Sequence, residues 1–231
     1  MQETKSKFEK ITVPGLDYTL PSITSEDGGR VYITPQGNKY PSSSTISRIL
    51  NRDAITAWRK RVGNEAADKK TKRGANRGAG VHLICEKYMM SGLSVMERAG
   101  MMPTTKELFL QIQGKLDTHV KIVYAIEQAL YSDRLKIAGR ADAIVSWDDV
   151  IAILDFKTAE KPKPIEWILN YFVQAAAYAE MFEERTGVKI NRLVVLMAVE
   201  TELHPTVYVR EKQEYLPILQ KCIDTFYDEN K

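Results

Sequence analysis

The chain has 231 residues, 44% of them hydrophobic and 27% charged, with a formal net charge of +3, the profile of one soluble globular domain of ordinary size. That charge is too small to imply a nucleic-acid partner by itself, so any basic surface has to be local. Two cysteines, Cys85 and Cys222, exclude a four-cysteine iron–sulfur cluster within the chain, and no apolar run approaches the length of a membrane span. Neither cysteine has a metal or redox spacing, and both fall at apolar positions, so they read as reduced core residues. Reduced thiols suit an intracellular compartment, the cytoplasm of a bacterial or phage-infected cell or an organellar matrix. The N-terminus, with Glu3, Glu9 and several lysines, does not read as a signal peptide.

In chain order, residues 1 to about 40 carry Pro14, Pro21, Gly28-Gly29, Pro35 and Gly37, which predicts strand-and-turn structure with a short strand over Arg30 to Thr34. The serines of Pro41-Ser42-Ser43-Ser44-Thr45 open a helix, since their oxygens can cap its free amides. A following helix contains Trp58, a long one runs from about Lys72 to Met90, and a third from about Thr104 to Val120. Strands are expected from near Lys121, with Leu135 to Trp147 closed by a turn at Asp148-Asp149 and leading into the apolar run Ile151 to Leu154. Pro164 opens a helix to Arg185, whose buried side is marked by Ile165, Ile168, Leu169, Phe172, Val173, Ala176 and Phe182. Strands over Leu193 to Glu200 and Thr206 to Val209 and a helix from about Lys212 to Asp228 complete the chain. Helices before and after the strands predict a three-layer α/β/α domain, with residues 1–120 as a mainly helical N-terminal region and 121–231 as the core, the two forming one compact unit.

The chemistry is concentrated in Gly139-Arg140-Ala141-Asp142 and, thirteen residues after that aspartate, Asp155-Phe156-Lys157. Residues two apart on a strand share a face, so Asp155 and Lys157 project together while Phe156 turns the other way. A hairpin register would set Asp142 beside Asp155. Paired carboxylates suit a hard divalent cation such as magnesium, and a lysine beside them can orient a water or counter charge developing on a phosphate. The plain alternative is that Asp-x-Lys is a common solvated strand end. Against it, an aspartate that ends an apolar run is costly to desolvate unless it gains a partner.

These residues resemble the PD-(D/E)XK nuclease superfamily, in particular its RecB-like exonuclease branch. Asp142 matches the first acid, with Ala141 where the signature proline would stand, and Asp155 and Lys157 match the second acid and the lysine. Upstream, Arg77-Gly78-Ala79-Gly80-Val81-His82 followed by Glu86 is similar to the helix that supplies a histidine metal ligand. Downstream, Gln174-Ala175-Ala176-Ala177-Tyr178 is similar to the Gln-x-x-x-Tyr helix flanking the catalytic strands. Within the branch, Asp155 to Pro164 and Tyr124 to Leu130 resemble the catalytic strand and first core strand of the mitochondrial genome maintenance exonuclease family and its phage and bacterial relatives.

The resemblance implies a restriction-endonuclease-like core with a mixed sheet and a DNA exonuclease using Mg2+ or Mn2+, preferring single-stranded ends. It places the activity in replication, repair or recombination, with such a complex as a partner. It implies catalytic Asp142, Asp155, Lys157, Glu127, Gln174 and Tyr178, and a metal held by His82, Asp142, Asp155 and the Phe156 carbonyl. Each has a plainer reading: a helix histidine satisfied in place, an edge-exposed Glu127, a Gln174–Tyr178 pair that only packs its helix on the sheet. Between Arg59 and Arg77 stand eight basic residues against Glu65 and Asp68, a solvated helix or a phosphate-tracking surface. On the second reading Arg59, Arg61, Lys72, Arg73, Arg77, Thr158 and Lys161 contact nucleic acid, with Trp58 available for base stacking. A structure-specific endonuclease on the same fold and an inactive nucleic-acid-binding subunit are the alternatives.

Overall fold

The computed structural model describes residues 6–25 and 29–230, so the features expected of Glu3 and Gly28 lie outside it. Strand β1 (Glu9–Lys10) precedes a small antiparallel meander of β2 (Ser22–Thr24), β3 (Arg30–Ile33) and β4 (Lys39–Pro41). Then come α1 (Ser43–Ser47), α2 (Arg52–Val62), α3 (Asn64–Ser91), α4 (Val95–Ala99) and α5 (Pro103–His119). Strands β5 (Val120–Ser132), β6 (Ile137–Trp147) and β7 (Val150–Ala159) are followed by α6 (Leu169–Thr186), β8 (Arg192–Val199), β9 (Thr206–Glu211) and α7 (Leu216–Glu229).

The main sheet has the order β1-β5-β6-β7-β8-β9 and is mixed: β1 pairs parallel with β5 and β7 parallel with β8, while the other neighbours are antiparallel. Parallel strands need a crossover, and α6 supplies the one between β7 and β8. Trp147 pairs with Val150 across a two-residue loop, and Asp148 and Asp149 have φ of +49° and +61°. Two left-handed residues are what a tight hairpin turn requires, and aspartate tolerates that conformation better than most side chains.

Period-two alternation divides the sheet between two cores. Leu193, Val195 and Met197 join Ile144 and Ile153 in packing under α6 and α7. Val194 and Leu196 join Val145, Leu154 and Phe156 in packing under α3 and α5. Helices therefore cover both faces of the sheet, which is the expected three-layer arrangement. The first 120 residues do more than wall it: β1 is an edge strand of the same sheet, and Leu20, Tyr32 and Tyr40 of the meander region pack on Ala129, Tyr131 and Ala138. Both cysteines are buried and unpaired by disulfide, and burial pushes both thiols up. Among the described residues no helix is long and apolar enough to cross a membrane.

Two helix boundaries differ from expectation. The long helix begins at Asn64 instead of near Lys72, because the break falls at Gly63, whose φ of +84° ends α2 while its amide donates to the Arg59 carbonyl. Pro164 does not begin the α-helix. Its extended backbone leads into a single 3-10 turn, Ile165–Trp167, and α6 starts at Leu169, so Ile165, expected on the buried side of the helix, lies before it and is exposed. At the start of α1 the Ser42 side chain accepts from the Thr45 amide, the cap expected of that serine run.

Gly139 is required by contact instead of by dihedral. A Cβ there would stand 2.6 Å from Ser43 Oγ and 2.7 Å from Tyr178 Cε1, so only a bare backbone lets α1 and α6 close on β6 at this point. Gly139→Ala is expected to cost about 1–3 kcal/mol through overpacking. Urea unfolding would reveal this as a lowered midpoint; an unchanged midpoint would show that the two side chains can withdraw freely.

Candidate functional site

Three strands carry one row of carboxylates. The pairs Ile126↔Ala143 and Gln128↔Ala141 bracket Glu127 and Asp142, placing them opposite each other on β5 and β6. The β6–β7 ladder runs from Trp147↔Val150 to Ala143↔Leu154, and the next row in the same register is Asp142 opposite Asp155. The expected hairpin neighbours are thus supplied by a register that the Asp148-Asp149 turn fixes. Glu127 itself has φ of +49°, an uncommon backbone for a glutamate and an irregularity at the row where the acids meet.

Helix α3 brings His82 to this row. Val81, Cys85 and Met89 are its buried neighbours on the helix, which leaves His82 at the margin of the packed face with its ring edge-on to Phe156 at 6.0 Å. Its Nδ1 stands 3.4 Å from Asp142 Oδ1, while Asp142 Oδ2 accepts the Phe156 amide at 2.8 Å. Ligand atoms of His82, Glu127 and Asp142 all lie within 4.8 Å of one another. Asp155 is not one of these three. It is 1% exposed, and its Oδ2 stands 2.5 Å from Lys157 Nζ, without a well-directed hydrogen bond. The convergent set differs from the expected His82, Asp142, Asp155 and Phe156 carbonyl in this respect: Glu127 takes the place beside His82 and Asp142, and Asp155 engages the lysine. Residues of a strand direct amide and carbonyl to the same side, so the Phe156 main chain does face Asp142.

Burial alone would raise the Asp142 carboxyl, but His82, Lys157 and the Phe156 amide outweigh it and hold Asp142 below the ordinary carboxylate range. Burial, reinforced by Asp142, pushes Asp155 up to about 6 against the pull of Lys157. Burial opposes the charges of His82 and Lys157, yet the same acids win and hold both above their ordinary values. Glu127 is raised by burial and then by Asp142 and Glu86, and its nearest cation, Arg140 Nη1, is 3.9 Å away. One borderline imidazole nitrogen and two hard carboxylate oxygens, with excess negative charge among them, form a donor set suited to a divalent cation.

On α6, Gln174 Nε2 donates to the Tyr178 hydroxyl at 2.8 Å, and Tyr178, 4% exposed, lies against Gly139, three residues before Asp142. Burial pushes the Tyr178 phenol far up. Tyr171 extends the same helix face by two turns from Tyr178. Its ring centroid is 5.0 Å from Lys157 Nζ and 5.6 Å from Lys163 Nζ, and Lys163 donates to its hydroxyl at 3.1 Å. Sequence reasoning did not single out Tyr171, although the spacing Tyr171, Gln174, Tyr178 marks one helix face.

The basic residues divide. Arg77 is mostly buried, donating to Thr158 Oγ1 at 3.2 Å and to Glu200 at 2.6 Å; Arg73 reaches the same Glu200 at 3.1 Å, and Arg59 pairs with Asp68 at 2.7 Å. Three guanidiniums and Thr158, expected to face nucleic acid, are thus engaged within the chain. Glu200, at the end of β8, is the partner that sequence reasoning missed, because nothing local links it to α3. Arg61, Lys72 and Lys161 are exposed and have no acidic partner among the described residues. Trp58 is half-buried.

No family model matches the chain, and no curated protein is significantly similar to it. Among solved structures it is similar to a "Putative exonuclease" from Eubacterium rectale, at 14% identity over 63% of this chain and 64% of the other, with a TM-score of 0.41. This chain therefore spans a little under two thirds of that protein's length. It is also similar to an alkaline exonuclease from Laribacter hongkongensis, at 12% identity over 65% of this chain and 77% of the other, with a TM-score of 0.34.

Asp155 makes the site pH-sensitive without any ligand. Its folded pKa near 6 lies above the ordinary 3.8, so its stabilising contribution is full below about pH 3.8 and disappears as pH rises through about 6. In EDTA, the wild-type denaturation midpoint should therefore fall more between about pH 4 and about pH 7 than that of Asp155→Asn, whose amide cannot ionise. Parallel pH profiles would mean that Asp155 has an ordinary pKa.

Proposed function

We propose that this chain is a divalent-metal-dependent nuclease of the PD-(D/E)XK type that hydrolyses DNA phosphodiesters from single-stranded ends. One observation carries the reading: the row Glu127, Asp142, Asp155 across three adjacent strands, completed by His82 from α3 and by Lys157 against the last acid. His82, Glu127 and Asp142 would hold the cation, with the Phe156 carbonyl on the same side. A cation bound there would polarise the scissile phosphate and acidify a coordinated water.

The chain's own groups do the rest. Asp155 holds the Lys157 ammonium beside the carboxylate row, and the surrounding burial keeps water from screening it. Lys157 donates to the attacking water or to a non-bridging phosphate oxygen as charge develops, an electrostatic contribution made by a donor that is already in place. The water oxygen forms the new bond to phosphorus as the ester bond breaks, and a proton passes to the departing alkoxide. The Phe156 amide orients Asp142, and Gln174 with Tyr178 secures β6 behind it. Single-strand and end preference, and a place in replication, repair or recombination, come with the family resemblance.

End-labelled single-stranded, duplex and circular DNA should be incubated with magnesium, with EDTA, and with the Asp142→Asn and Lys157→Ala proteins. Expected is magnesium-dependent loss of linear single strands, reduced roughly 100-fold or more by either substitution. Lys157→Ala should still bind DNA. Cleavage in EDTA, or by Asp142→Asn, would overturn the assignment, and cutting of circles would make the enzyme an endonuclease.

A metal-only measurement separates the ligand set from catalysis. Glu127→Gln, which keeps the shape and removes the charge, should weaken Mn2+ binding by about 10-fold in calorimetry. Unchanged affinity would remove Glu127 from the set.

A further inference from the structure

The segment from Glu160 to Trp167 joins β7 to α6 beside the carboxylate row. Two prolines, Pro162 and Pro164, restrict its backbone, and Ile168, fully buried, anchors its end. Asn51 ties the same end down, donating to Asn170 Oδ1 at 2.9 Å and reaching the Trp167 carbonyl at 3.5 Å. On this fixed base the Trp167 side chain is 67% exposed. A large aromatic ring held out in water on a restrained segment, a few residues from a cluster of charges, is a surface prepared for a flat apolar partner.

Lys163, four residues before Trp167 on the same segment, carries an equally specific charge. Lys163 has no acidic partner among the described residues, in contrast to Arg59, Arg73 and Arg77. Its ammonium is held by Tyr171 alone, through the hydroxyl and the ring, and the same ring faces the ammonium of Lys157. Glu160 and Glu166 offset Lys161 and Lys163 over the segment as a whole, and Lys157 is paired with Asp155, so the positive character is local to Lys163. Tyr171 lies four residues from Trp167, a reach of at most about 14 Å along the chain.

We propose that Lys163, on its Tyr171 support, and Trp167 form a subsite for one nucleotide of a single strand next to the bond being cut. Lys163 takes the phosphate and Trp167 stacks the unpaired base. The subsite rests on the nuclease reading and adds to it a structural origin for single-strand preference, because a base inside a duplex already has both faces stacked and cannot lie on Trp167. Aromatic–base stacking tolerates sequence, so the subsite selects strandedness and not sequence.

The test uses the full chain in EDTA, so that binding is read without cleavage, with a labelled oligothymidylate and a labelled hairpin duplex. Trp167→Ala should bind the oligothymidylate roughly 10-fold more weakly, Trp167→Phe should restore most of the loss, and duplex binding should be unaffected. Lys163→Gln should reduce the slope of log affinity against log salt for the single strand by about 0.7, the amount expected of one lost phosphate contact. Quenching of tryptophan fluorescence by the oligonucleotide should persist in Trp58→Phe and vanish in Trp167→Phe. Wild-type affinity and salt slope in both Trp167→Ala and Lys163→Gln would overturn the subsite, as would equal losses on single strand and duplex. If those variants behave as wild type while the wild type still cleaves, the subsite alone fails. A wild type that neither binds nor cleaves in magnesium removes the nuclease reading and the subsite together.

Discussion

Everything at the site depends on keeping acids at the margin of a buried sheet, where Glu127 and His82 are partly exposed and Asp155 is buried. Glu127, Asp142 and Asp155 occupy one row across β5, β6 and β7, with fully buried residues such as Ala143 and Leu154 one position away. A lone carboxylate there would be strongly disfavoured. The fold offsets this in a different way for each acid. Asp142 receives a backbone amide and an imidazole, Asp155 receives a lysine, and Glu127 retains the least compensation, with a distorted backbone and a distant arginine. The row is consequently polarised: Asp155 at its inner end is paired by the chain itself, and Glu127 at its outer end keeps the least compensated charge.

The surrounding elements serve to bring two helices close to that row without filling it. Helix α3 approaches where its residues are small. A Cβ at Gly78 would make only ordinary contact with Thr158 Oγ1 of β7, 3.8 Å away, whereas one at Gly80 would crowd Thr105 Oγ1 of α5 at 3.2 Å. The Arg77 fork to Thr158 and Glu200 then locks α3 against the ends of β7 and β8, which fixes where His82 points. On the other face, α6 approaches through the bare backbone of Gly139 and presents Tyr171, Gln174 and Tyr178 along one stripe. Glycine serves here as permission for close approach, on a strand in one case and within a helix in the other.

The basic residues illustrate why charge counted along a chain is not charge presented on a surface. Arg73 and Arg77 are separated by one turn of α3, and both turn toward a single glutamate more than a hundred residues away. Such a pairing anchors a helix to a sheet and offsets one of the two positive charges, with Arg77 mostly buried and Arg73 still exposed. Lys163, less conspicuous in the sequence, keeps its charge available because an aromatic ring, not a carboxylate, supports it.

Local physical chemistry was enough to read much of this protein from its residues. The apolar run of β7, the Asp148-Asp149 turn, the serine cap of α1 and the alternation of Asp155, Phe156 and Lys157 all act within a few residues, so their outcome is written where they stand. With the resemblance of its motifs, that reading anticipated the three-layer fold and singled out the acids, the lysine, His82 and the Gln174–Tyr178 helix as candidates. Only tertiary structure decided how these groups partner one another. It placed Glu127 beside His82 and Asp142, turned Asp155 to Lys157, drew Arg73 and Arg77 to Glu200, and set Tyr171 between two lysines. Those outcomes come from strand register and helix approach across long sequence separations, where each charge takes whichever counter-charge the packed fold brings within reach.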